Sequence, residues 1–214
     1  MLDTTRAKLE SMYRTQPQRG ADGAMHELHA STRISPEQGE LLATFHEKLR
    51  PKVSLEVGMA YGYSTLYMAD AMHRGGYGYH LAIDPFQHSA WHGIALASLE
   101  ELGFQHRVKL VDDFSASALP RLRDQGVRAD FVYIDGQHTF DAVLVDVCGA
   151  DRLLNPGGLL ILDDMWMPSI RKVAAFVRAN YAHLVEVPTP VENVFCVMKQ
   201  GEDARGWDHF VDFA

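Results

Sequence analysis

Short apolar runs recur along this chain and alternate with longer stretches whose apolar residues repeat every three or four positions. The runs at 53–57, 79–83, 108–111, 131–134, 159–162, 184–187 and 194–198 predict strands. The stretches at 36–49, 64–73, 90–102, 117–125, 140–154 and 169–180 predict helices. Runs 131–134 and 159–162 are apolar at every position, as befits strands covered on both faces of a parallel sheet. Strand and helix in alternation give an α/β, doubly wound sheet. The last two strands are separated only by Pro188-Thr189-Pro190-Val191-Glu192-Asn193, too short for a crossover helix, so they predict an antiparallel hairpin. The expectation is a seven-stranded, mostly parallel sheet with a C-terminal antiparallel strand.

The two ends read less sharply. Residues 2–13 suit an amphipathic helix, while 15–23 are polar and rich in turn formers, either a flexible leader or a lid over a site. The chain thus divides into a helix-plus-lid segment at 1–35, a main domain at 36–200 and a tail at 201–214. In the tail Trp207, Phe210 and Phe213 are expected to pack back on the domain or on a partner subunit.

Composition narrows the function. With 214 residues, 47% of them hydrophobic and 22% charged, the chain fits one soluble domain with one large core. No apolar stretch approaches the roughly 18 residues of a membrane span, and the first ten residues lack a signal-peptide core, so a cytoplasmic protein without a membrane partner is expected. Cys148 and Cys196 lie in apolar stretches without metal-ligand spacing and are expected to be reduced. A net charge of −8 without a basic cluster argues against nucleic acid and for a small-molecule substrate.

The chemistry falls at strand ends, where ligands bind in open parallel sheets. Leu55-Glu56-Val57-Gly58-Met59-Ala60-Tyr61-Gly62-Tyr63-Ser64 reads as a strand ending in an acid, a Gly-x-x-x-Gly turn and a helix start. That turn offers backbone N–H groups and close approach to a ligand. It is not the G-x-G-x-x-G of a dinucleotide fold. An acid before a looser glycine turn suits a ligand with a positive amino group, such as S-adenosylmethionine. Asp84 after the second strand can accept from ribose hydroxyls, and Asp113, Phe114 and Ser115 after the third can bracket an adenine. Each could singly be a helix cap; together they outline a nucleoside pocket. The fourth strand ends in Asp135-Gly136-Gln137-His138 and the fifth in Asp163-Asp164. Three converging carboxylates repel unless a cation is present, and Mg²⁺ suits such oxygens; alternatively Asp163 or Asp164 caps the next helix.

At these residues the sequence resembles the class I S-adenosylmethionine-dependent methyltransferases, whose Rossmann-like fold has the same terminal antiparallel strand. Within them it is similar to the catechol O-methyltransferase-like, metal-dependent O-methyltransferases. It also resembles a bacterial Ile-Asp-Gly-x-His group, related to macrolide-sugar O-methyltransferases, through Ile134-Asp135-Gly136-Gln137-His138. The likeness runs from Thr32 to Lys199. It implies that Thr32, Ile34, Glu56, Gly58, Gly62, Ser64, Asp84, Asp113, Phe114, Ser115 and Asp135 contact the cofactor. It implies Asp135, Asp163 and Asp164 as metal ligands, the first two 28 residues apart, and a homo-oligomer. Catechol-type enzymes carry asparagine where this chain has Asp164, and a lysine base where it has His138; the sugar-modifying relatives carry the aspartate.

The resulting expectation is Mg²⁺-dependent methyl transfer to a phenol, catechol or sugar-like hydroxyl. His138 takes the proton, or alternatively bonds a carboxylate structurally. A metal-independent methyltransferase and a non-catalytic S-adenosylmethionine-binding protein are the competing readings.

Overall fold

The computed structural model describes residues 1–213. The chain forms two compact units, Met1–Phe114 and Ser115 onward. In the first unit, helix α1 (Asp3–Tyr13) is followed by the two-residue strands β1 (Gln18–Arg19) and β2 (Met25–His26), and then α2 (Pro36–Leu49). Strand β3 (Val53–Val57), α3 (Tyr63–Gly75), β4 (Tyr79–Ile83), α4 (Ile94–Glu101) and β5 (Val108–Val111) complete it. The start of α2 is fixed by a capping box: the Ser35 hydroxyl accepts from Gln38 N, the Gln38 side chain accepts from Ser35 N, and Pro36 takes the first helical position. Helix α3 is buried at every position from Tyr63 to Met72, so it forms the centre of this unit's core. Its Tyr63 hydroxyl donates to Met12 O at 2.8 Å and ties α1 to it.

Two departures from the sequence pattern fall here. Most of the 15–23 stretch read as leader or lid lies in an antiparallel β1–β2 hairpin over 18–26. The hairpin is fastened by Ala21 N donating to His92 O at 2.9 Å and by the His26 and His92 rings stacked 4.0 Å apart. Two-residue strands are too short to leave a period in the sequence. Helix α4 begins at Ile94 rather than at 90, because Gly93 takes a left-handed conformation at its start.

The second unit contains α5 (Ser115–Asp124), β6 (Ala129–Ile134), α6 (Phe140–Leu153), β7 (Leu154–Leu162), α7 (Pro168–Asn180), β8 (Leu184–Glu186) and β9 (Phe195–Lys199). Parallel pairing of β6 with β7, from Phe131↔Leu159 to Ile134↔Leu162, buries all eight side chains, as their unbroken apolar runs require. Strand β9 runs antiparallel to β7 and β8, forming the terminal hairpin the short connector demanded. The seven-stranded sheet has the order β5-β4-β3-β6-β7-β9-β8, parallel except for β9: a doubly wound sheet closed by one antiparallel strand.

Of the three tail aromatics expected to pack, Phe213 does so against the domain. Val211 exchanges both backbone bonds with the Asn180 side chain, at 2.8 and 2.9 Å, and Phe213 meets Phe176 edge-on. Trp207 is 99% exposed and Phe210 65% exposed. Both cysteines are free thiols, and burial pushes that of Cys196 up to about 12. Among the described residues no helix is long and apolar enough to cross a membrane.

Candidate functional site

In the first unit, β3 runs into a turn whose backbone alternates through left-handed conformations at Gly58 (φ 89°), Ala60 (φ 46°) and Gly62 (φ 88°). A Cβ on Gly62 would lie 2.9 Å from Ala95 Cβ, so the position needs glycine for space as well as for φ. Two backbone N–H groups of this turn, from Met59 and Ala60, donate to Asp84 Oδ2 at 3.1 and 2.8 Å. Gln87 Nε2 donates to the same oxygen at 3.1 Å, and Phe86 N donates to Oδ1 at 2.8 Å. Asp84 is 3% exposed and has four donors, so it locks the turn to the end of β4. Glu56 is fully buried: it accepts from the Ser64 hydroxyl at 2.8 Å and from the Thr65 hydroxyl, and its Oε1 lies 3.2 Å from His80 Nε2. The structure therefore gathers Glu56, Gly58, Gly62, Ser64 and Asp84 at one turn, with both carboxylates turned inward.

Beside this turn lie two exposed aromatic rings. Phe86 and Phe114 meet edge-to-face at 5.7 Å, with 44% and 60% of their surface open. Asp113 accepts from Phe114 N at 2.8 Å, which orders that loop. Thr32 lies in a 3₁₀ turn (Ala30–Thr32) and donates to His29 O, whereas Ile34 is buried. Trp91 packs edge-on against Tyr61. Ser115, read as part of an adenine-binding turn, is the first residue of α5 in the second unit, where its hydroxyl bonds Asp146.

In the second unit, Asp135 follows β6, Asp163 and Asp164 follow β7, and His138 precedes α6. Asp135, His138 and Asp164 each offer one ligand atom, all within 4.8 Å of one another, and all three residues are half-buried. His138 Nε2 lies 2.8 Å from Asp164 Oδ2 and 3.4 Å from Asp135 Oδ1. Nε2 itself is buried and makes no well-directed hydrogen bond, so the three groups converge on a common point rather than pairing off. Asp135 first and Asp164 next hold the imidazolium, pushing its pKa up to about 10, and His138 in turn holds Asp164 below the usual carboxylate range.

Asp163, expected as a ligand, lies outside this trio. It is 3% exposed and accepts from the Tyr133 hydroxyl, from Asp164 N at 2.6 Å and from Asn193 Nδ2 at 3.1 Å. Burial first and the charge of Asp135 second push it up to about 8. Asp164 has a left-handed backbone (φ 58°), which lets two successive acids face different surroundings. Its Oδ1 accepts from the Trp166 indole N–H at 2.8 Å, with the indole 66% exposed.

A family model for the methyltransferase domain matches residues 55–165, a span that takes in the glycine turn and the acidic trio. The chain belongs to the methyltransferase domain family. A catechol O-methyltransferase from Niastella koreensis is 29% identical over 133 residues, covering 62% of this chain and 58% of that protein. Catechol O-methyltransferase B from Danio rerio is 27% identical over 155 residues, covering 70% and 56%. The chain thus spans just over half the length of these curated relatives. An SAH-bound methyltransferase from Podospora anserina superposes with a TM-score of 0.71 at 18% identity, covering 94% of this chain and 89% of that one. The Bacillus cereus O-methyltransferase in complex with SAH gives 0.68 at 18%, covering 93% and 92%. At these identities the likeness is one of fold, and it is that of class I methyltransferases.

Three residues of this methyltransferase domain escaped the sequence pattern. Asn193 sits in the β8–β9 connector, which the sequence offered only as a length. Its Nδ2 reaches Asp163, its Oδ1 accepts from Trp166 N at 3.2 Å, and its carbonyl accepts from Met165 N at 3.0 Å. Phe86 follows the acid thought to bind ribose and carried no signal beyond being aromatic. His80 lies inside a strand, where a histidine reads as packing.

Proposed function

We propose that the protein is an S-adenosylmethionine-dependent O-methyltransferase, Mg²⁺-dependent, acting on a hydroxyl of a small phenolic, catechol-like or sugar-like molecule. The single observation that carries the metal-dependent part is the convergence of Asp135, Asp164 and His138 within 4.8 Å of one another at the ends of two parallel strands. The catechol O-methyltransferase names of the curated relatives and the SAH in two of the fold neighbours support the reaction class.

The first unit fits the cofactor through its chain geometry. The Gly58–Gly62 turn keeps side chains out of the way, and Phe86 and Phe114 offer exposed faces on which an adenine can rest. The second unit fits a divalent cation through its donors: Asp135 and Asp164 supply carboxylate oxygens, while Asp163 stays behind them with Asn193 and Tyr133. A bound cation would lower the pKa of a coordinated substrate hydroxyl. With a cation on them, Asp135 and Asp164 would no longer hold the imidazole charged; His138, its own proton released to solvent, would take up the hydroxyl proton at Nε2. Trp166 walls this side and anchors Asp164 through its indole N–H.

One observation favours a second reading, methyl transfer without a metal: the His138 imidazolium already offsets the charge of Asp135 and Asp164. A turnover assay separates the two. Incubation with S-adenosylmethionine and a catechol, phenol or sugar panel is expected to release S-adenosylhomocysteine and a product heavier by one methyl, both abolished by a chelator and restored by Mg²⁺. Turnover that survives the chelator selects the second reading, and cofactor binding without turnover on any acceptor contradicts both.

A further inference from the structure

Strand β9 pairs antiparallel with β7 from Leu159↔Met198 to Leu162↔Phe195. Continued past its last pair, that register sets Asn193 opposite Asp164. Asp164 takes a left-handed backbone (φ 58°), a conformation that persists in a residue other than glycine only where its surroundings hold it. The backbone N–H groups from Asp164 to Met167 show what holds it. Asp164 N donates to Asp163 Oδ1 at 2.6 Å, and Met165 N donates to Asn193 O at 3.0 Å. Trp166 N donates to Asn193 Oδ1 at 3.2 Å, and Met167 N donates to Asp164 O at 2.8 Å. Successive N–H groups, those of Met165 and Trp166, thus end on one residue.

The Asn193 amide is fixed from both sides. Its Oδ1 faces a backbone N–H and its Nδ2 faces Asp163 Oδ1 at 3.1 Å, so a flipped amide would set like against like at each end. Nδ2 also lies 3.5 Å from Asp164 Oδ1 and therefore stands between the two acids. Past this point the two carboxylates part. Asp163 turns inward to the Tyr133 hydroxyl, Asp164 N and Asn193. Asp164 brings Oδ2 to 2.8 Å from His138 Nε2 and accepts the Trp166 indole N–H on Oδ1 at 2.8 Å. Arg171 holds the Met165 and Trp166 carbonyls from α7, whereas Asn193 takes the N–H groups of the same two residues and an acid as well.

We infer that Asn193 is a positioning residue that selects which of the two adjacent aspartates joins Asp135 and His138. Its carbonyl and its Oδ1 secure the left-handed bend, and its Nδ2 keeps Asp163 inside. Without its side chain, Trp166 N loses an acceptor and Asp163 loses a donor. Asp164 then relaxes to an ordinary backbone angle and its carboxylate leaves His138. The inference rests on the reading of this trio as a metal site and adds to it the residue that presents one of the ligands.

Two variants test it in the intact protein: Asn193→Leu keeps the bulk of the side chain, and Asn193→Ala removes it. Proton–nitrogen spectra with labelled indoles resolve the three tryptophans, and Trp166→Phe assigns the Trp166 signal. In both variants that signal is expected to move toward that of Trp207, whose residue is 99% exposed, while the Trp91 signal stays in place. Calorimetry is expected to show Mg²⁺ affinity about tenfold or more below that of the wild type, in proteins that thermal melts show to be folded. A Trp166 signal that stays at its wild-type position overturns the inference, as does an undiminished Mg²⁺ affinity. Loss of the folded state in both variants also overturns it, because Asn193 is then a residue of the fold. If the wild type itself binds no Mg²⁺, the metal reading in the proposed function fails, while the Trp166 signal still decides the role of Asn193.

Discussion

The glycine turn of the first unit and the acidic trio of the second are both built from carboxylates at the ends of parallel strands, yet they are finished in opposite ways. At the turn, Glu56 and Asp84 are buried, and donors from Ser64, Thr65, Met59, Ala60, Phe86 and Gln87 fill them. In the trio, Asp135, His138 and Asp164 are half-open, hold like and unlike charge side by side, and leave His138 Nε2 without a directed partner. The first arrangement shapes backbone; the second keeps three titratable side chains together and half-open. An acid at a strand end is thus not one kind of residue. What the neighbouring donors take from it decides whether it holds the fold or the chemistry.

The largest effect that tests this contrast is on turnover. Asp164→Ala is expected to cut methyl transfer by about 100-fold or more while shifting stability by no more than about 1 kcal/mol, read from initial rates and from thermal melts of the same preparation. A melt that falls in step with the rate would place Asp164 with the structural acids instead. Asp84→Ala should do the reverse and unsettle the fold. It strips the N–H groups of Met59, Ala60 and Phe86 and the Gln87 amide of their acceptor, at about 3 kcal/mol, seen as a drop in Tm of about 10 °C.

A smaller test uses a buried acid that belongs to neither group. Asp146 in α6 is pushed up to about 6 by burial, only partly offset by the Ser115 hydroxyl. Between the ordinary aspartate value of 3.8 and that raised one, the folded chain keeps a proton that the unfolded chain has lost. Its contribution is therefore complete at low pH and declines as pH rises through this window, by up to about 3 kcal/mol. Asp146→Asn should flatten that decline and raise stability at pH 7 by about 1–2 kcal/mol, measured by urea melts at pH 4 and 7.

Much of the fold was legible because it rests on periodicity. Strands 53–57, 79–83 and 108–111 and helix 36–49 fall where the apolar pattern places them, and a six-residue connector forced the terminal hairpin. What escaped depends on single backbone angles or on loops. The left-handed turn at Asp164 separates it from Asp163, and two adjacent aspartates in a sequence cannot show which one faces outward. Asn193 and Phe86 act from loops, where spacing carries no period. The β1–β2 hairpin is too short for one. Trp207 was expected to pack on the domain or on a partner subunit; within the chain it is 99% exposed, and the tail is held by the Val211 backbone and by Phe213.

The most direct test of the central claim is calorimetric titration of S-adenosylmethionine, with and without millimolar Mg²⁺, into wild type and into Asp135→Ala/Asp164→Ala. The account predicts cofactor binding in both proteins and a Mg²⁺ heat present only in the wild type. An absence of cofactor binding in the wild type would contradict it outright, and a Mg²⁺ heat that persists in the double variant would remove the metal from Asp135 and Asp164.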